Sequence, residues 1–469
     1  MSWDKESVHA AVEKQREYFK TGATLPIDFR RRMLLQLKQS VLAHEKDILA
    51  ALKADLGRDE SEGYLCDIGP VILEINEALH GLRKLAKPET HFSGLLAFPS
   101  VFTKVYKIPY GASLIISPFN FPFLLSLGVL SACIAAGNTA ILKASSKSKE
   151  STAVLAKIIA GAFPSEYCLV IDGGHDIADY CLEERFDKIF YTGSPRVGVH
   201  VMEMAAKNLT PVTLELGGEN GNFAIVRKDA DIRDAARKIA FFKILNSGQV
   251  CININQVAVA KEIAEPFIEA LKQEFTRQLG EHPETNEEYC HLISSSAYRY
   301  VAEEADAYRE RIVFGGVGNP ETLRYSPTII YPAKLEDKVC NHETFSPLLP
   351  VIPFEDNDID ALVKEVENRE HGLALYLFTK NKTWAKKVMS SAQYGGGCVN
   401  EVCLHLMVKG VPFNGTGHSG MGAYHGEWGF REFSHPSTVL FGKTKGNLTL
   451  REHPFHNTKK LGLLKKFFK

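Results

Sequence analysis

Cys251 is the residue whose setting in the sequence best suits a nucleophile. It ends a polar, glycine-containing loop, the run NSGQVC over residues 246–251. A thiolate nucleophile needs access and a hydrogen-bonding or positive environment, which such a loop can supply. No histidine lies within thirty residues on either side, so a local cysteine–histidine pair is not visible. The alternative is that Cys251 is a small buried hydrophobe, as free cysteines commonly are.

Two further polar side chains could support such a nucleophile. Glu215 precedes two glycines in the run ELGG. A carboxylate in apolar surroundings has a raised pKa and can act as a general base near neutrality. Asn120 comes just after a predicted strand, in the run SPFNFP, and its amide could donate to a developing oxyanion. The alternatives are a salt-bridged acid at a domain junction for Glu215 and an ordinary turn residue for Asn120.

Gly193 and Gly198 bracket a possible phosphate-binding loop, the run GSPRVG. Glycines let the backbone approach a phosphate, and a helix N-terminus adds partial positive charge. We predict that the following helix begins at Val199. The spacing differs from the G-x-G-x-x-G fingerprint, so a tight strand-to-helix turn is the alternative.

The elements that must position these residues alternate between strand and helix. The first block has predicted strands, separated by helices, at 112–116, 140–143, 168–171 and 188–192. A second block, from 215 to 395, has predicted strands at 223–226, 256–259 and 349–352. This alternation predicts an α/β fold with a doubly wound parallel sheet. Such sheets bind ligands beyond the carboxyl ends of their strands.

Composition narrows the class of protein. The chain has 469 residues, 45% of them hydrophobic, which predicts two or three domains. Its formal net charge of −1 gives no indication of nucleic-acid binding. The nine cysteines show no zinc-binding spacing, so we expect no metal site, reduced thiols and a cytoplasmic location. The apolar stretch 119–142 is interrupted by polar residues, and we expect no membrane span.

Taken together, the motifs resemble the aldehyde dehydrogenase superfamily over nearly the whole chain. The segment 419–426, followed by 433–435, is most similar to the class 3 branch, whose members act on fatty, aromatic and medium-chain aldehydes. The runs that carry the resemblance are, in chain order, ISPFNFP (116–122), AGNTAILK (136–143), YTGS (191–194), LELGG (214–218), NSGQVC (246–251), HETFSP (342–347) and SGMGAYHG (419–426).

The resemblance implies a role for each catalytic candidate. Cys251 would attack the aldehyde carbon and form a thiohemiacetal, with Asn120 and the backbone N–H of Cys251 holding the oxyanion. Hydride transfer to a nicotinamide would leave a thioester, and Glu215 would activate the water that hydrolyses it to a carboxylic acid. The implied substrates are medium- or long-chain aliphatic or aromatic aldehydes.

It also implies a cofactor, NAD or NADP. Lys143 would reach the adenosine ribose, Ser194 the pyrophosphate, and Glu343 and Phe345 the nicotinamide ribose and ring. Ser146 stands where the family often has a glutamate that pairs with the adenosine ribose. A carboxylate there would repel a 2′-phosphate, whereas a serine can hydrogen-bond to it, and nearby lysines add positive charge. We therefore predict that NADP is accepted alongside NAD; the alternative is sequence drift with NAD retained.

The implied architecture has three parts and a tail. We expect an NAD(P)-binding domain from 1–86 and 110–214, a catalytic domain over 215–395, and a bridging, oligomerising element from 87–109 and 396–441. The exposed alternation at 101–107 suits strand pairing with another chain, and class 3 members imply a homodimer. The tail, 442–469, ends in a basic, amphipathic segment, 459–469, that could rest on an anionic membrane surface; packing on a partner subunit, or a free tail, are the alternatives.

Two other functions are compatible with the fold. In a CoA-acylating relative, CoA rather than water would receive the acyl group, but a thiol acceptor does not require a base such as Glu215. A non-enzymatic binding protein would not need Cys251, Glu215 and Asn120 together.

Overall fold

The computed structural model describes residues 3–94, 97, 100–446, 452–453 and 458–468. The helices of this part of the chain are α1 Lys5–Lys20, α2 Ile27–Ala43, α3 Glu45–Leu56, α4 Glu60–Gly63, α5 Gly69–Ala86, α6 Val129–Ala136, α7 Lys149–Ala162, α8 His175–Glu183, α9 Pro195–Ala206, α10 Ile232–Ile244, α11 Ala264–Leu279, α12 Ser295–Asp306, α13 Ile359–Glu367, α14 Lys382–Ser391, α15 Gly426–Glu432 and α16 Thr458–Phe467. The strands are β1 Glu89–Phe92, β2 Phe102–Pro109, β3 Ala112–Ile116, β4 Thr139–Lys143, β5 Cys168–Ile171, β6 Lys188–Gly193, β7 Val212–Leu216, β8 Asn222–Val226, β9 Ile254–Ala260, β10 Ile312–Phe314, β11 Gly318–Asn319, β12 Arg324–Tyr325, β13 Thr328–Ile330, β14 Leu348–Phe354, β15 Ala374–Phe378, β16 Gly396–Val399, β17 Gly420–Met421 and β18 Ser434–Leu440.

The first large sheet is doubly wound, as its alternating pattern predicts. Its strand order is β17-β7-β6-β3-β4-β5, and every pairing is parallel except that of the edge strand β17. Helices α2, α5, α6 and α7 pack into one core cluster, while α1, α8 and α9 pack into another. Because both faces are covered by helices, the strands can be apolar on both sides. The order of the strands reverses between β3 and β6, which is where such sheets bind ligands.

The second large sheet has the order β10-β13-β14-β9-β8-β15-β16, parallel except at the edge strand β10. Helices α10 and α11 share the main apolar core with α5 and α6. Helices α13 and α14 contribute to a separate cluster with apolar residues of β8, β14 and β15. The predicted α/β class is therefore confirmed in both blocks.

A third sheet is antiparallel, with the order β1-β2-β18. The strand predicted at 101–107 forms most of β2. Its side chains are exposed or only partly buried up to residue 108, as predicted. The segment 396–441, predicted to bridge domains, contributes strands to three sheets: β16 to the second, β17 to the first and β18 to the third.

Parts of two predicted segments, 87–109 and the tail 442–469, lie outside the described residues. Within the tail, α16 carries Leu461 and Leu463 on its exposed surface. None of the helices in the described ranges combines the length and apolar character needed to cross a bilayer.

Two helix boundaries test the sequence patterns. The helix predicted to follow Pro122 begins with a π-helical turn, Leu124–Gly128, and continues as α6. It ends at Gly137, whose φ of 100° is a left-handed conformation suited to glycine, and the predicted end is confirmed. The helix predicted to begin at Val199 begins four residues earlier, at Pro195. That prediction is wrong because proline fits the first turn of a helix, where its missing N–H costs nothing.

Candidate active site

A cavity of about 400 Å³ lies at the carboxyl ends of β3, β4, β6 and β7 and reaches across to the second sheet. It gathers side chains from segments that are far apart in sequence. Nearly all of the predicted site residues line it, namely Asn120, Lys143, Ser146, Gly193, Ser194, Glu215, Cys251, Glu343 and Phe345.

Gly198 lies elsewhere. It is buried within α9, and a Cβ there would stand 3.0 Å from the side chain of Leu216. Its small size lets α9 pack closely on β7, so its place is in helix–strand packing. The loop at the cavity is therefore only Gly193 and Ser194, and Ser194 is the residue that precedes the helix.

The loop before Cys251 has an unusual backbone. Asn246, Ser247 and Gly248 all have positive φ, at 51°, 53° and 76°. A Cβ on Gly248 would lie 2.1 Å from the carbonyl oxygen of Ser346, so only glycine fits there. Strained conformations of this kind persist when their surroundings over-determine them.

Side-chain amides fix this loop against the segment that carries Asn120. The Asn246 side chain donates to the carbonyl oxygens of Asn120, at 3.1 Å, and Gln249, at 2.9 Å. The Asn120 side chain also donates to the Gln249 carbonyl, at 3.1 Å. Since an amide carries two N–H groups, this bond leaves the second N–H of Asn120 available to another acceptor.

Cys251 itself is held through its backbone carbonyl. Buried Asn222 donates to the carbonyl oxygens of Cys251 and Asn253, each at 2.8 Å. Burial, together with the charges of Glu343 and Glu215, raises the pKa of the Cys251 thiol to about 12. The thiol is therefore protonated at neutral pH, and attack requires the loss of that proton.

Glu215 is a buried carboxyl group that has no hydrogen-bond donor beside it among the described residues. Its side chain is carried by β7, and among the described residues neither of its oxygens has a hydrogen-bond partner. Burial raises the pKa of Glu215 well above its ordinary value, with a further contribution from the charge of Glu432. A carboxyl with a raised pKa and free oxygens is suited to exchange a proton with a water molecule near neutral pH.

Glu343 approaches the glycine pair that follows Glu215. A Cβ on Gly217 would stand 2.1 Å from its Oε1, so the glycine is what allows the carboxylate in. Burial raises the pKa of Glu343 to about 8, and the charge of Lys243 opposes that shift. Burial lowers the pKa of Lys243 to about 7, and its Nζ donates to the carbonyl oxygen of Ile254 at 2.8 Å.

The opposite end of the cavity is polar and open. Lys143 is buried along its length and donates to the carbonyl oxygens of Ala144, at 3.0 Å, and Gly173, at 2.8 Å. Ser146 and Lys147 are exposed at the rim. Lys147 lies 5.5 Å from the ring centroid of Phe119.

Three residues that shape the site, Asn255, Lys243 and Asn222, are not among those that the sequence motifs predict. Asn255 accepts from the backbone N–H of Thr344 at 2.9 Å and so anchors the loop that carries Glu343. Lys243 offered a signal, because it follows Ala236 and Ile239 at helical spacing on an apolar face. Asn222 and Asn255 offered none, since their partners depend on how the chain returns in space.

Comparisons with known proteins identify the family of this chain. The family model described as "Aldehyde dehydrogenase family" matches residues 1–439. The 4,4′-diaponeurosporen-aldehyde dehydrogenase of Staphylococcus aureus is 33% identical over 96% of this chain and 97% of its own length. Aldehyde dehydrogenase family 3 member A2 of Rattus norvegicus is 34% identical over 98% of this chain and 94% of its own length.

Solved structures give the same result. The substrate-bound Staphylococcus aureus AldH superimposes with a TM-score of 0.94 and 32% identity, covering 98% of this chain and 99% of that one. The NADP complex of glyceraldehyde-3-phosphate dehydrogenase GapN from Methanocaldococcus jannaschii shares the fold, with a TM-score of 0.84 at 24% identity over 94% of this chain and 96% of that one. The chain belongs to the aldehyde dehydrogenase family and is an oxidoreductase of that kind.

Proposed function

We propose that the protein oxidises aldehydes to carboxylic acids with NAD or NADP, through a thiohemiacetal and a thioester on Cys251. The observation that carries this proposal is the meeting of a thiol, an amide donor and an uncompensated carboxyl group, Cys251, Asn120 and Glu215, in one cavity. That cavity continues past them to Lys143 and Ser146, which leaves room for an extended cofactor.

The residues divide the reaction into two stages. Cys251 first releases its thiol proton to water that enters through the open end of the cavity. The thiolate then attacks the carbonyl carbon, the C=O electron pair moves to the oxygen, and that oxygen, now negative, accepts from the Asn120 amide and from the backbone N–H of Cys251. A bound nicotinamide dinucleotide would supply the hydride acceptor. Glu215 then takes a proton from water as that water attacks the thioester carbon, and the acid leaves as the C–S bond breaks. The pKa of Glu215, raised by burial, suits this transfer.

The polar groups along the cavity fit a dinucleotide. Glu343 has an oxygen, Oε1, without a partner among the described residues, so it can accept from a ribose hydroxyl. Phe345 would face the nicotinamide, while Gly193 and Ser194, at the start of α9, would meet the pyrophosphate. Lys143 would reach the adenosine ribose. No metal is assigned to this site.

The adenosine end supports use of NADP as well as NAD. Ser146 is exposed at the rim and can donate to a 2′-phosphate, and Lys147 and Lys149 lie exposed nearby. The proposal extends to medium- or long-chain aliphatic or aromatic aldehydes, a cytoplasmic location and a homodimer. The matches to aldehyde dehydrogenase family 3 members support the class 3 resemblance from which these points are drawn. β2 is the middle strand of the third sheet, between β1 and β18, so a second copy would have to pair with the outer edge of β1 or of β18.

The test is a product assay with both cofactors and a panel of aliphatic and aromatic aldehydes, with and without CoA. We expect free acid and NAD(P)H in equal amounts, regardless of CoA. Cys251→Ser should lower turnover on the order of 10⁴-fold or more, because no comparable nucleophile remains. Cys403→Ser, a partly buried cysteine outside the cavity, is the matched control and should keep full turnover. Formation of acyl-CoA in place of acid, or full turnover by Cys251→Ser, would overturn the proposal.

A further inference from the structure

Arg58 and Asp67 form an ion pair from which solvent is wholly excluded. Both side chains have an exposed fraction of 0%, and Nη1 of Arg58 donates to Oδ2 of Asp67. Taking two charges out of water is costly, and a buried pair often adds no net stability over apolar residues of the same size. The stability of the fold therefore does not by itself explain why this pair is present.

The pair holds the segment that carries the oxyanion donor. Nη2 of Arg58 donates to the backbone carbonyl oxygen of Asn120 at 2.7 Å. Oδ1 of Asp67 accepts from the backbone N–H groups of Phe123, at 3.0 Å, and Leu124, at 2.9 Å. The guanidinium also lies 5.0 Å from the ring centroid of Phe121. The pair thus holds residues 120 to 124 at several successive points.

The same arginine is close to the loop that carries the nucleophile. Its Nε lies 3.9 Å from Oε1 of Glu62, and that oxygen accepts from the backbone N–H of Asn246 at 2.7 Å. Asn246 in turn donates from its side chain to the Asn120 carbonyl at 3.1 Å, so this oxygen receives two donors. Arg58 therefore donates directly to the Asn120 segment, and it lies within ion-pair distance of the Glu62 carboxylate that holds the loop before Cys251.

We propose that Arg58 and Asp67 are positioning residues that set the direction of the Asn120 amide relative to Cys251. Neither side chain lines the cavity as the described residues define it, and both act on the reaction through Asn120. A shift of the Asn120 backbone would misalign the amide N–H, and hydrogen bonds weaken steeply with angle. This inference rests on the proposed role of Asn120 as an oxyanion donor.

The test measures the rate constant of NAD(P)H formation in the first turnover, at saturating aldehyde and cofactor, in a double-mutant cycle with Asn120→Ala. Loss of one oxyanion donor lowers a rate constant about 10²-fold, and we expect Arg58→Met to lower the first-turnover rate constant about tenfold. In the Asn120→Ala background we expect Arg58→Met to cost less than about twofold, because its target is gone. Arg58→Lys, which keeps the cation beside Asp67, should restore most of the rate. If Arg58→Met does not fold, Asp67→Asn, which keeps the shape of the side chain, replaces it in the double-mutant cycle.

Two controls separate positioning from general damage. Arg30→Met removes another buried arginine, which donates to the carbonyl oxygens of Thr24 and Ala135, and should leave the first-turnover rate unchanged. Iodoacetamide alkylates Cys251, and mass spectrometry of the peptide that carries it gives the rate. In Arg58→Met this rate should stay within about twofold of the wild-type rate, because hydrogen bonding to the oxyanion plays no part in alkylation. Equal losses from Arg58→Met, or from Asp67→Asn, in both backgrounds would overturn the inference. No loss from Asn120→Ala itself would instead overturn the proposed oxyanion role.

Discussion

The two ends of the cavity are built in opposite ways. At the inner end, Glu215 is buried and has two oxygens without partners among the described residues. At the outer end, Ser146 and Lys147 are exposed. Burial sets the protonation states of the inner groups, whereas water and salt screen the charges of the outer ones. Substitutions at the inner end should therefore change rates and titration strongly, while those at the outer end should shift selectivity modestly.

After the loss of the Cys251 thiol, the largest effect at the inner end is expected from Glu215→Gln. Deacylation loses its proton acceptor, so turnover should fall about 10²- to 10⁴-fold. The first turnover should keep nearly its full rate, because the attack by Cys251 does not use Glu215. Rapid mixing should then show a burst of NAD(P)H, and mass spectrometry should show an acyl group on Cys251. A burst that slows in parallel with turnover would contradict this division of roles.

Glu343→Gln tests the protonation state of the inner end through the pH dependence of the free energy of unfolding. The pKa of Glu343 is raised to about 8 in the folded protein, whereas a glutamate in the unfolded chain titrates near 4.3, roughly. At a pH between these two pKa values, Glu343 keeps its proton in the folded state and loses it in the unfolded state. Its contribution therefore lowers the free energy of unfolding as pH rises. Between about pH 5 and pH 6, below the Lys243 pKa of about 7, the free energy of unfolding of the wild type should fall by up to about 1.4 kcal/mol per pH unit relative to that of Glu343→Gln.

Urea unfolding at three pH values within that window measures the slope. Glu336→Gln, at an exposed glutamate on a nearby loop, is the matched control and should follow the wild type. If the free energy of unfolding of Glu343→Gln changes with pH as that of the wild type does, Glu343 is ionised in the folded protein. The proposed contrast between the two ends of the cavity would then be wrong.

The smallest effect is expected at the outer end, from Ser146→Glu. A carboxylate at the rim repels a 2′-phosphate but accepts from a 2′-hydroxyl, so the KM for NADP should rise about tenfold, equivalent to about 1.4 kcal/mol, and the KM for NAD should not rise. Higher salt should reduce the difference, because the site is exposed. Binding of 2′,5′-ADP and 5′-AMP checks the result without turnover. An equal change for both nucleotides would show that Ser146 does not face the 2′ position.

Local patterns in the sequence predicted the elements, and the motifs predicted which residues meet. The strands at 112–116 and 188–192 follow from apolar runs bounded by turn residues, and the structure confirms them. Gly198 does not belong to the loop at the cavity, because α9 already begins at Pro195, a residue favoured in the first turn of a helix. Arg58 and Asp67 could not be found in this way. Nine residues apart, they look like ordinary charged side chains until the Asn120 segment packs on them.

The edge strand β17 has a consequence for how the protein is made. Gly420 pairs with Glu215, so the strand that carries this buried carboxyl group has its outer neighbour only at residues 420–421. While a ribosome synthesises residues 217 to 419, β7 has an open edge, and open edges are prone to wrong pairing. Synthesis from N- to C-terminus thus completes the sheet around Glu215 late, after the strands of the second sheet have emerged.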